Sequence, residues 1–171
     1  MIAPAFDTNF RHIKGMPTAG ITDNLINVYY PQLSIFIDYI DTSISELFRN
    51  DSTVGKAILH RVRQELGGMV SKEKMILFPL LVTLEKEDRK SDCGPFKLVK
   101  KHYHSLLSAI QSLKYLLQED AASNKITPGL LKQVNDLESG IVELQRAKEK
   151  HLFNRFKSCN NNCQISAYAS Q

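Results

Sequence analysis

An acid on an apolar stripe is the residue of this sequence most suited to chemistry. Ile58, Val62, Leu66, Met69, Leu77 and Leu80 recur at steps of three and four once Glu73 is counted among them. That spacing marks one face of a helix turned toward a core, and Glu73 falls where an aliphatic residue is expected. An ionised carboxylate there is costly unless it is paired, hydrogen-bonded or bound to a metal. A weaker copy of the pattern lies near the end of the chain. Its stripe is Leu131, Val134, Leu137 or Glu138, Ile141, Gln145, Glu149, Leu152 and Phe156, again with an acid on the core face. In both places the Glu is followed after a short gap by Leu-Phe, as Leu77-Phe78 and Leu152-Phe153.

Four helices must position these acids. The first starts near Thr22 or Asp23, both good N-caps, with the stripe Ile26, Tyr30, Leu33, Ile37, Ile40, Ile44 and Leu47. Pro31 lies inside it and predicts a kink or a later true start. The second runs from about Ser52 to about Glu87 and ends in the charged run Glu85–Ser91. Gly67-Gly68 inside it allows a bend or the close approach of a neighbouring helix, and Pro79 marks a second bend. The third opens at Pro95, which suits a first helical turn, and its stripe is Phe96, Val99, Tyr103, Leu106, Ile110, Leu113 and Leu117. Thr127-Pro128 reads as N-cap and first residue of the fourth. Helices of this length with short connections fold most economically as an all-α, up-down-up-down bundle.

The pair of acidic helices, with Gly94-Pro95-Phe96-Lys97-Leu98-Val99 opening the helix between them, resembles the hemerythrin-like (HHE cation-binding) family. The closest likeness is to its bacterial di-iron proteins of iron–sulfur cluster repair. The resemblance covers residues 22–156 and implies a hemerythrin-like four-helix bundle. Carried over position by position, the family's two glutamates fall on Glu73 and Glu149. Its four imidazole positions fall on Tyr30, Met69, Tyr103 and Gln145, none of which is a His. His102 beside Tyr103 is the substitute a small helix rotation could recruit. His104 also flanks Tyr103, both flanking imidazoles are turned about 100° from the direction Tyr103 takes, and His151 follows Glu149 by two residues. His60 reads as a boundary residue and His12 as structural or solvated.

Composition bounds the remaining classes. The chain has 171 residues, enough for one domain with a sizeable core. Its apolar share of 43% and charged share of 23% are ordinary for a globular protein. The net charge of +4 is spread among interspersed signs, so no nucleic-acid footprint appears. No stretch approaches about 18 apolar residues, the N-terminus lacks the pattern of a signal peptide, and Cys93, Cys159 and Cys163 form no disulfide framework. These features point to a cytoplasmic, reducing location, without nucleic acid or membrane as partner. Residues 1–21 read as an irregular arm, 22–157 as the bundle and 158–171 as a polar, disordered tail.

Two readings of the site follow. In the first, Glu73 and Glu149 are vestiges of a degenerate di-iron site, facing one interior and held by Tyr30, Tyr103, Gln145 and either Lys72 or Lys148. The protein then carries no cofactor. It is a non-enzymatic regulatory or interaction module related to iron–sulfur repair and stress proteins, a monomer or dimer that binds a protein partner or small ligand. With neutral hydrogen-bond partners alone, Glu73 is a misplaced acid, and its replacement by Gln or Leu should raise thermal stability. The alternative is a rebuilt di-iron or single-iron centre that handles oxygen, nitric oxide or iron for cluster repair.

Overall fold

The computed structural model describes residues 10–47, 53–91, 94–122 and 128–157. Over that span the protein is all-α, with four long helices around one continuous apolar core. The expectations for Cys93, Cys159, Cys163, the tail 158–171 and the N-cap at Thr127 lie outside the described residues.

The first helix covers 18–47 without interruption, but it is not α-helical throughout. Thr18–Asn24 is α-helical, Leu25–Tyr29 forms a π turn, and Tyr30–Leu47 is α-helical again. The second helix repeats the arrangement over 53–86, with Thr53–Lys72, a π turn at Glu73–Leu77, and Phe78–Lys86. Both π turns end immediately before an aromatic–proline pair, Tyr30-Pro31 and Phe78-Pro79. Proline carries no N–H, and its ring collides with the carbonyl four residues back. Widening the preceding turn relieves that collision. The Tyr30 N–H reaches the Leu25 carbonyl, and the Phe78 N–H reaches the Glu73 carbonyl, each five residues back. The two prolines are therefore absorbed without a break.

A π turn adds one residue, so it shifts the phase of the buried stripe. Leu25 and Tyr29 are buried where the α-helical spacing named Ile26, and Leu81 is buried where it named Leu80. The third helix, Gly94–Ala122, has no such insertion. There Phe96, Val99, Tyr103, Leu106, Ile110, Leu113 and Leu117 are all buried, as its spacing requires. The fourth helix is Pro128–His151, followed by a 3-10 turn at Phe153–Arg155.

Neighbouring helices meet in a consistent order. The segment Thr18–Asn24 packs on Phe78–Lys86, and Tyr30–Leu47 packs on Thr53–Lys72 and on Pro128–His151. The third helix packs against both the second and the fourth. At Gly68 the second helix leaves room for a side chain of the third. A Cβ added there would lie 3.1 Å from His102 Nδ1, so the glycine admits the imidazole ring.

One end of the molecule is tied by polar contacts. The first helix begins at Thr18, inside the stretch read from sequence as an irregular arm, because its cap comes from elsewhere. Pro17 at the N-cap has no side-chain group to offer, and the Glu85 carboxylate of the second helix substitutes. It accepts from the Thr18 N–H at 3.1 Å and from the Thr18 hydroxyl at 2.6 Å. Arg155 donates to the Met16 carbonyl at 2.7 Å, and the Ser91 N–H donates to the Phe156 carbonyl at 2.8 Å. Ahead of the first helix, Phe10–Ile13 forms a 3-10 turn whose His12 ring stacks on Tyr29 and bonds to its hydroxyl at 3.1 Å. The structural reading of His12 is thereby supported.

Candidate functional site

Glu73 is completely buried, as its place on the stripe requires. It opens the π turn of the second helix and meets Tyr30, which directly follows the π turn of the first. The two proline-induced turns thus set the level at which these side chains face each other. The Tyr30 hydroxyl donates to Glu73 Oε2. The other oxygen, Oε1, accepts from Lys148 Nζ at 2.6 Å, and Lys148 is itself only 1% exposed. The Lys148 ammonium also lies 5.8 Å from the centre of the Tyr30 ring and 5.9 Å from that of Phe153. Two aromatic faces add to the stabilisation of a desolvated cation. Burial, reinforced by the neighbouring Glu73 carboxylate and the hydrogen bond to it, pushes the Tyr30 hydroxyl well above its usual range, so it stays a proton donor.

The fourth helix turns differently from the face assigned to it by sequence. Ile141, Leu144, Lys148 and Leu152 are the buried series. Glu149 is consequently rotated by one residue, about 100°, toward Lys157. It accepts from Lys157 Nζ at 2.5 Å, with the lysine 5.4 Å from the Phe96 ring centre. Each acid therefore has its own lysine.

The remaining candidates divide between the core and other contacts. Met69 is buried in the apolar core. Tyr103 is buried, but its electrostatic neighbours are Arg146, Glu138 and Glu143 rather than Glu73. Burial raises its hydroxyl to about 12; Arg146 opposes the shift, while Glu138 and Glu143 reinforce it. Gln145 is buried three residues before Lys148 and one helical turn before Glu149. His102 is half-buried and its Nδ1 lies 3.2 Å from Glu65 Oε2, an interhelical contact beside Gly68. The sequence thus places Tyr30 and Glu73 together correctly. Of the two lysines offered as partners, Lys72 and Lys148, it is Lys148 that enters the site and meets Glu73. The available signal was Leu144, which fits the series Ile141–Leu144–Lys148–Leu152 and was left off the other stripe.

A di-iron or single-iron centre does not fit these residues. Both oxygens of Glu73 are engaged, one by an ammonium that would repel a metal cation. Met69, Tyr30, Tyr103 and Gln145 supply no imidazole, and Tyr30 is held in its protonated form, which is a poor ligand. Among the described residues no three His, Cys, Asp or Glu side chains assemble into a metal-binding group. Chemically the arrangement is a buried, charge-compensated cluster that joins the first, second and fourth helices.

Comparison with known protein families, with curated proteins and with solved structures gives no match for this chain. Among the described residues no helix is long and apolar enough to cross a membrane.

Proposed function

We propose that the chain is a hemerythrin-like, up-down-up-down four-helix bundle whose metal centre has been replaced by an internal ion pair. It serves as a non-enzymatic regulatory or interaction module, of the kind related to iron–sulfur repair and stress proteins. The observation that carries this reading is the 2.6 Å contact of Lys148 Nζ with the fully buried Glu73. A carboxylate at that depth needs a cation, and the chain's own ammonium supplies it. The order in which neighbouring helices pack supports the up-down arrangement. The outer side of the Glu73 π turn suits contact rather than catalysis, with Met75 73% and Ile76 48% exposed.

The test is metal analysis and a visible spectrum of protein purified from iron-supplemented cells. The expected result is well under one iron per chain and no visible absorption band. Two irons per chain retained through exhaustive dialysis, with the colour of an oxo-bridged or tyrosinate-bound ferric site, would overturn the proposal.

A further inference from the structure

Among the described residues, the helix that carries Lys148 has buried polar atoms without a partner. Gln145 is 3% exposed, and among the described residues neither its Oε1 nor its Nε2 has a hydrogen-bond partner. Glu149 uses Oε2 for Lys157, while its Oε1 is buried and also unpartnered among those residues. Gln145 and Glu149 stand four residues apart on one helix. That puts them on the same face with Cβ atoms about 5–6 Å apart. Lys148 lies between them in sequence, and its bond to Glu73 uses one of its three donors.

Buried donors and acceptors left unmade carry their full desolvation cost, and native interiors avoid that state. The groups themselves define the guest. It must accept from the Gln145 Nε2 amide and donate to Gln145 Oε1 and Glu149 Oε1. A metal cation cannot accept a hydrogen bond, and an anion would be repelled by the Glu149 carboxylate. A small neutral molecule that both donates and accepts meets the requirement. We propose that this is an internal hydration site in which ordered water bridges Gln145 to Glu149. The bridge satisfies the polar atoms on the Gln145–Glu149 face and holds the rotation of the fourth helix that turns Lys148 toward Glu73. The inference goes beyond the functional proposal, because it concerns the groups that the ion pair leaves unmet.

Two measurements test it on the full chain. Water-oxygen-17 magnetic relaxation dispersion reads long-lived internal water in solution. The wild type should show such a component, and Gln145→Leu should lose part of its amplitude. An undiminished amplitude in a folded Gln145→Leu variant would overturn the site. Should that variant fail to fold, a high-resolution crystal structure of the wild type decides. A water peak within about 3.2 Å of the Gln145 amide and of Glu149 Oε1 supports the site. An amide bonded directly to protein groups, with no density between the two residues, removes it and leaves the functional proposal standing. A peak there with the anomalous signal of iron overturns both.

Discussion

Glu73 changes meaning once its partner is known. Treated as an acid among neutral groups, it is a liability, and its removal should stabilise the protein. Paired with Lys148, it is half of a buried ion pair, and that expectation reverses. Removing one member of such a pair strands the other charge, at a cost of about 3–5 kcal/mol. Glu73→Gln should therefore lower the melting temperature near neutral pH, with or without added iron. Tyr30 offers a second check at the same scale. Its folded-state pKa lies above the unfolded value near 10, so its contribution is complete below that pH and fades as pH rises through the folded value. In an ultraviolet titration of the native protein, Tyr30→Phe should leave the phenolate signal below pH 11 unchanged. A loss of signal there would place the Tyr30 titration in the ordinary range and contradict the hydrogen bond to Glu73.

Among elements, the long apolar stripes were legible because helical periodicity depends on local sequence alone. The third helix, with no insertion, follows its sequence pattern residue for residue. What was not legible was phase. Pro31 and Pro79 each announced a disturbance, but periodicity alone does not distinguish a kink from a π turn. That choice depends on whether the neighbouring helices keep the chain continuous. The choice between Lys72 and Lys148 as the partner of Glu73 was open for a different reason. A lysine has a long apolar stem, and its terminal charge can be buried when a carboxylate meets it. Nothing on its own helix reveals that Glu73, 75 residues earlier in the chain, will do so. The paired glycines provide an element-scale test. A Cβ at Gly67 would meet nothing within 4 Å, whereas at Gly68 it would crowd His102. Both substitutions to Ala improve helix propensity by about 0.5–1 kcal/mol. Gly67→Ala should show that gain in chemical denaturation. Gly68→Ala should fall short of it, since the ring must move from Glu65. Equal gains would remove the packing role assigned to Gly68.

For the whole molecule, acid sensitivity follows from two histidines. Burial, with Lys100 nearby, lowers the pKa of His104 below the ordinary 6.5. Burial also lowers that of His151, aided by Lys150, Arg155 and Lys14. In the window below about 6.5 the unfolded chain takes up protons that the native state does not. Their contribution to stability is present above that pH and is lost as pH falls through the folded values. Melting temperatures from pH 8 to pH 5 should drop more steeply for the wild type than for a His104→Gln/His151→Gln variant. Parallel profiles would mean that neither ring resists protonation.

A double-mutant cycle on that cluster tests the central claim most directly. Thermal and denaturant unfolding would be measured for the wild type, Glu73→Leu, Lys148→Met and the double variant, each with and without ferrous iron. Each single change should cost about 3–5 kcal/mol, and the double variant should recover most of the loss or exceed the wild type, because an apolar pair of similar volume replaces two desolvated charges. Iron should alter none of the four. Additive losses in the cycle, or a wild type stabilised by iron in a manner abolished by Glu73→Leu, would contradict an interior whose carboxylate is neutralised by the chain's own lysine.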